Sequence, residues 1–247
     1  MSDQEKRMKK QFQKISRKVG KTLQEHRLIS GGDRILVGLS GGKDSMILLE
    51  ALADRKKHLP FDFELFAVHV AATSIGYEMD TGYLKQICSE LNIPLYLEEI
   101  EVDLTEDSKK PPCFICSWSR RKRIFELSKE LDCNKVALGH HKDDAIQTLL
   151  MNMIYHGSFS SFSQDLSMFD GRIRLIRPLL YIPEKELTYY ATLRSFKKLE
   201  KTCPYDGSTK RHEIRDLVRQ LDKLSRDARR NIFNSMNNIY EEYLPSK

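Results

Sequence analysis

Between residues 40 and 45 the chain reads Ser40-Gly41-Gly42-Lys43-Asp44-Ser45, which puts two hydroxyls, two glycines, a cation and a carboxylate into one short loop. The glycines let main chain take positive φ and approach a ligand closely. The loop leaves an apolar run, RILVGLS (34–40), and opens a helical pattern, KDSMILLEALADRKK (43–57). A helix that starts there aims its first N–H groups and the positive end of its dipole at the loop. The six residues therefore read as a cradle for phosphate oxygens. Lys43 adds charge, and the Asp44 carboxylate suits a Mg²⁺ ion or a positioning role. The spacing matches neither the Walker A loop nor the dinucleotide fingerprint G-x-G-x-x-G.

A second cluster, Gly139-His140-His141-Lys142-Asp143-Asp144, also follows an apolar run and opens a helical pattern. Capping and the helix dipole account for part of its acidity. A third motif is Cys113-Phe-Ile-Cys116. One C-x-x-C can serve a zinc site, a redox dithiol or an iron–sulfur site, or no site at all. Structural zinc asks for four ligands, usually two such pairs, and here there is one pair. A thioredoxin-like dithiol would follow the first strand, where the phosphate loop stands. Cys203, in the turn-rich stretch TCPYDGS, is a candidate third ligand. Three thiolates can hold a cubane cluster and leave its fourth iron open. Cys88 and Cys133 fall in apolar helical patterns and read as small core residues.

These motifs need a scaffold that sets them side by side. Strand-like runs at 34–40, 63–72, 95–102, 135–141 and 172–180 alternate with helical patterns. That alternation predicts an α/β fold, a doubly wound parallel sheet of five strands with helical N- and C-terminal extensions. Such sheets bind ligands beyond the carboxyl ends of their strands, where the motifs fall. The expected divisions are a basic N-terminal helix (1–30), a nucleotide-binding α/β domain carrying the C-x-x-C (31–200), and a basic C-terminal helical segment with the third cysteine (201–247).

The 247 residues are 40% hydrophobic and 31% charged, which excludes collagen-like, low-complexity and wholly disordered classes. No apolar run approaches the roughly 18 residues of a membrane span. The N-terminus has charge without an apolar h-region, so the expected location is cytoplasmic, with no membrane partner. Five unevenly spaced cysteines argue against a disulfide framework. Residues 1–30 and 194–230 each carry a net +6, whereas 31–193 carry −5. Two basic segments flanking an acidic body suit a phosphate-bearing partner such as a nucleic acid.

Taken in order, S-G-G-K-D-S, C-x-x-C followed by Arg120-Arg121, A-L-G-H-H-x-D-D, I-R-P-L (176–179) and the late Cys203 turn resemble the tRNA 2-thiocytidine synthetase family of PP-loop ATP pyrophosphatases. The likeness runs from about residue 34 to the C-terminus. It implies an adenine nucleotide alpha hydrolase-like fold that uses ATP, Mg²⁺ and a [4Fe-4S] cluster. The implied ATP-binding set is Ser40, Gly41, Gly42, Lys43, Asp44, Ser45, Gly139, His140 and Asp143, and the implied cluster ligands are Cys113, Cys116 and Cys203. Lys43, Asp44, Cys113 and Cys116 would carry the catalysis. The implied reaction adenylates the C2 carbonyl of a tRNA cytidine and replaces its oxygen with sulfur. The sulfur would come from a cysteine desulfurase or from sulfide. Candidate tRNA contacts are Lys9, Lys10, Arg17, Arg120, Arg121, Lys210, Arg211 and Arg215, and a homodimer is left open. Asp206 stands where relatives often carry a further cysteine, and Gln147-Thr148 where many have Glu-Thr. The segment from His69 lacks the Asn-Leu-Asp run of close relatives. The competing readings are a lysidine-type ligase and a nucleotide-binding iron–sulfur module without tRNA chemistry.

Overall fold

The structure, a computed structural model, describes residues 2–75, 81–103, 111–197 and 210–245. Among them β1 (Arg34–Gly38), β2 (Glu64–Ala72), β3 (Leu95–Ile100), β4 (Lys135–Ala137), β5 (Asp165–Met168) and β6 (Ile173–Ile176) join into a sheet of order β3-β2-β1-β4-β6-β5. All five strands expected from the sequence are present and parallel. A sixth, β5, is added at the edge and runs antiparallel to β6. Its four residues, Asp-Leu-Ser-Met, hold no apolar run that would betray them.

The chain builds outward from β1 in both directions. Its register with β2 pairs Val37 with Ala67, and its register with β4 pairs Val37 with Ala137. The switch in winding direction therefore falls between β1 and β4, the place where open α/β sheets bind ligands.

Alternation along β1 separates two cores. Ile35 and Val37 pack with α1 (Asp3–Glu25), α2 (Lys43–Lys56) and α6 (Glu184–Arg194), in one cluster that includes Ile15, Val19, Leu48 and Leu187. Leu36 faces the other way, into a cluster with Phe66, Val68 and Leu127 of α4 (Pro112–Glu130). The helix α1 is amphipathic, with Ile15, Val19 and Leu23 on one buried stripe. A capping box starts it: Glu5 N donates to Ser2 Oγ at 3.2 Å, and Ser2 N to the Glu5 carboxylate at 2.6 Å. By contrast, Ser45 to Leu52 of α2 are all buried, because the helix is wrapped by sheet, α1 and α6.

The chain divides into two compact units, residues 1–141 with 163–206 and residues 142–162 with 207–247. The first holds the sheet, α1, α2, α3 (Gly82–Glu90), α4 and α6. The second holds α5 (Lys142–His156), α7 (Lys210–Leu224) and α8 (Ala228–Ser235). In it Arg229 of α8 ties Asp143 of α5 to Asp222 of α7, and Tyr155 donates to Glu213 at 2.9 Å.

At the amino end of the sheet a buried charge is fully matched. Lys135 Nζ lies 2.6 Å from Asp33 Oδ2 and donates to Leu28 O at 2.7 Å. Asp33 also accepts from Ser30 N and Asn134 Nδ2. Lys135→Met should lower the unfolding free energy in urea by about 3–5 kcal/mol, because Asp33 stays buried without its cation. A Lys135→Met/Asp33→Asn chain should recover part of that loss.

Candidate functional site

The loop after β1 is shaped by its own hydroxyls. Gly42 N donates to Ser40 Oγ at 3.3 Å, Ser40 N to Ser45 Oγ at 3.2 Å, and Ser45 Oγ to Gly42 O at 2.9 Å. Gly41 has φ 75°, a left-handed conformation that its lack of a Cβ permits. At the base of the loop Leu39 N donates to Val68 O of β2 at 2.7 Å, and Leu39 O accepts from Nδ1 of the buried His69 at 2.8 Å. Gly42 caps α2 with no side-chain hydrogen bond, so the helix start is presented as bare main chain. That arrangement, a tight loop around uncapped amides at a dipole's positive end, is what phosphate oxygens bind.

The loop after β4 completes one wall. A Cβ on Gly139 would stand 2.9 Å from Ser45 N and 3.0 Å from the Asp44 carbonyl carbon. Only glycine lets the two main chains meet this closely. His141, buried beside them, brings Nε2 to 3.9 Å from Asp44 Oδ2. The structure thus gathers Ser40 to Ser45 with Gly139 as the sequence suggested. His140 is the half-buried next residue in that wall. Asp143 belongs to the second unit, where it is buried and paired with Arg229.

One residue of the cradle has no local sequence signal. Glu184, at the first turn of α6 after Pro183, puts Oε1 3.1 Å from Lys43 Nζ, which also lies 3.1 Å from Asp44 Oδ2. Burial works against the Lys43 charge, but the two carboxylates outweigh it and hold the amine above its ordinary value. Lys43 is therefore a fixed cation at the loop rather than a proton donor.

Cys113 and Cys116 stand in the first turns of α4, which starts at Pro112. They fall on a helix and three residues apart, so they share a face. Cys116 is buried against Ala72, the last residue of β2, and Val102, just past β3. The pair thus lies at the carboxyl end of the same sheet as the phosphate loop, and neither thiol is in a disulfide. Cys203 and Asp206 lie outside the described residues, and among those described no three His, Cys, Asp or Glu side chains are gathered for a metal ion. Two adjacent sulfur donors beside half-buried apolar surface fit an iron–sulfur cluster as far as the described ligands go. Burial pushes the Cys88 and Cys133 thiols up to about 11, which keeps both protonated and sets them apart as core residues.

The candidate RNA-contacting cations are spread across both units. Lys9, Lys10 and Arg17 lie exposed on α1, and Lys210 and Arg215 exposed on α7 with Arg211 partly covered. Arg121 is exposed on α4, whereas Arg120 sends its Nε to Val70 O of β2 at 2.9 Å.

A glycine- and hydroxyl-lined loop at the switch point of a parallel sheet, met by a glycine after the neighbouring strand, is the geometry of a nucleotide-binding α/β domain. A PP-loop domain model matches residues 6–222. The chain is 34% identical over 240 residues to the tRNA-cytidine(32) 2-sulfurtransferase of Burkholderia vietnamiensis, covering 95% of this chain and 71% of that one. It is 35% identical over 242 residues to the enzyme of the same name from Paraburkholderia phytofirmans, again covering 95% and 71%. Among solved structures it resembles the U34-tRNA thiolase NcsA of Methanococcus maripaludis, determined with its [4Fe-4S] cluster, at 26% identity and a TM-score of 0.76 over 97% of this chain and 82% of that one. The chain belongs to the tRNA-cytidine 2-sulfurtransferase family of PP-loop proteins.

Gly139→Ala should weaken ATP binding at least about tenfold, read with a fluorescent nucleotide, since the new methyl group displaces main chain that nothing else can replace. Iodoacetamide at pH 8 should spare Cys88 and Cys133, whose thiolate fraction there is about one in a thousand. Peptide mass spectrometry after brief alkylation reads that pattern directly, and rapid labelling of either cysteine would show the burial to be wrong.

Proposed function

We propose that this protein is an ATP-dependent tRNA thiolase that converts a cytidine C2 carbonyl to a thiocarbonyl. The observation that carries the reading is the shared placement of the Ser40–Ser45 loop and the Cys113/Cys116 pair at the carboxyl end of one sheet. Membership in a family named for this activity supports it.

Oxide is a poor leaving group, so the carbonyl must be activated before sulfur can replace it. O2 of the base attacks the α-phosphorus of ATP, the bond to the β-phosphate oxygen breaks, and pyrophosphate leaves. Ser40, Ser45 and the amides at the start of α2 bind the departing pyrophosphate and disperse its charge, and Lys43 adds its fixed cation. Asp44 would hold Mg²⁺, which screens the phosphates when bound. A sulfur nucleophile then attacks C2, the C2–O bond breaks, and AMP leaves. Cys113, Cys116 and Cys203 would hold the [4Fe-4S] cluster, which when bound supplies an open iron for sulfide. The proposed donor is free sulfide, or sulfur from a cysteine desulfurase released as sulfide from its persulfide by a thiol reductant. Basic residues of α1 and α7 meet the tRNA backbone. A cytoplasmic site of action follows from the substrate, and no described helix is long and apolar enough to cross a membrane.

Iron, zinc and acid-labile sulfide, measured on protein purified without oxygen beside a Cys113→Ala/Cys116→Ala control, test the cluster. Iron with sulfide, lost in the control, is expected. Zinc alone, or no metal, would return the substrate question to the lysidine-type ligase. In parallel, tRNA should stimulate pyrophosphate release, nucleoside mass spectrometry should detect 2-thiocytidine, and folded Asp44→Ala should lose both. Near-normal turnover by that variant would remove Asp44 from the mechanism.

A further inference from the structure

We infer that the groove between α4 and the β5–β6 hairpin holds an unpaired segment of the RNA, with bases stacked on Trp118 and Phe169. The inference rests on the tRNA-modifying reading above. The groove encloses about 870 Å³ and lies wholly within the first unit.

Its first wall is the outer face of α4. Trp118, Arg121, Phe125 and Lys129 line it at helical spacing and form one stripe. Trp118 is 53% exposed, an unusual position for the largest apolar side chain on a helix that already buries another face. Lys122 Nζ sits 5.8 Å from the centre of its ring.

The second wall is the hairpin turn. Phe169 and Asp170 have φ of 53° and 58°, a costly conformation for residues with a Cβ. In that conformation the Phe169 ring remains half exposed and meets Phe125 edge-on at 5.3 Å. These positive φ angles are the ones a tight hairpin turn requires, and the turn leaves the Phe169 ring on the groove wall.

Charge selects the occupant. Arg121, Lys122, Lys129 and Arg172 line the groove against the acids Glu126 and Asp132. Arg121 also stands close enough to the buried Arg177 that their repulsion adds to burial in pulling Arg177 down to about 10. An anion would relieve that repulsion. Phosphates answer the cations, and base faces answer the rings, in the manner of single-strand binding surfaces. A duplex offers phosphates without free base faces, and an acidic peptide offers charge without stacking. From Trp118 to Lys129 the stripe runs about 16 Å along the helix axis. It begins beside the turn that carries Cys113 and Cys116.

Trp118 is the one tryptophan of the chain, so intrinsic fluorescence reports on the groove without a label. Anaerobically purified full-length protein is titrated with tRNA, with a stem-loop RNA, with a blunt duplex of equal length and with polyglutamate. Anisotropy of labelled tRNA follows binding independently. Saturable quenching by tRNA and the stem-loop, with little from the duplex or polyglutamate, is expected. Phe169→Ala should weaken tRNA binding about tenfold, and Arg121→Gln/Arg172→Gln should lower the salt slope by about two. Binding seen by anisotropy while Trp118 emission and the Phe169→Ala affinity stay unchanged would overturn the groove and leave thiolation standing. Quenching by polyglutamate in place of RNA would make it a protein-docking surface. Absence of tRNA binding by either readout would remove the tRNA reading, and the groove assignment with it.

Discussion

The site depends on two main chains meeting with no side chain between them. Gly139 lies against the backbone of Asp44 and Ser45, and a methyl group there would overlap Ser45 N. This approach is possible because β1 and β4 are neighbours in register, Val37 beside Ala137, so their following loops leave the sheet at the same height. The parallel order then does the rest. It places the start of α2 under one loop and brings Glu184 of α6 to the amine of Lys43. A local phosphate motif becomes a walled site through strand pairing, and hydrogen bonds within the loop only refine it.

Charge has two uses in this chain. The basic surplus of the ends reads as a nucleic-acid footprint, yet much of it is committed inside the molecule. Lys14 and Lys18 both reach Glu186 of α6, which fastens α1 to the first unit. Arg229 is held by Asp222 and Asp143. Each such pair spends a cation on fold rather than on phosphate. A residue count at the ends therefore overstates the charge available to RNA, and the same holds on α4, where Arg123 is held by Glu98 and Glu130 and Lys122 lies 3.8 Å from Glu126.

How far the fold could be read from residues alone follows from which forces leave local traces. Strands β1 and β2 are buried along nearly their whole length, so they appear as mostly apolar runs. The edge strand β5 is covered by little and pairs through backbone, so Asp165 to Met168 carry no pattern. The start of α4 leaves little trace in the sequence because Pro111-Pro112 looks like loop, although proline suits a helix's first position. The phosphate loop was legible because its chemistry is contiguous. The Lys43–Glu184 pair was not, since those residues stand 141 apart in sequence and meet only through α6 packing. Cys88 and Cys133 were legible as core because both fall in apolar helical patterns. The Trp118–Phe169 groove was not, because its two walls come from a helix and a hairpin that no motif connects.

The helix α4 shows why these features need one another. Its inward face carries Cys116 to the carboxyl ends of the strands, Arg120 to Val70 O, Arg123 to Glu98 at 2.8 Å, and Leu127 into the core. Those anchors fix both the rotation and the axial position of the helix. With rotation fixed, 3.6 residues per turn leaves the exposed stripe no freedom about where it faces. With axial position fixed, Trp118 lies about 7.5 Å along the axis from Cys113. Whatever packs on the outer face is therefore held at a set distance from the two cysteines, and the helix acts as a rigid spacer between them. A flexible loop carrying the same cysteines would not hold that distance.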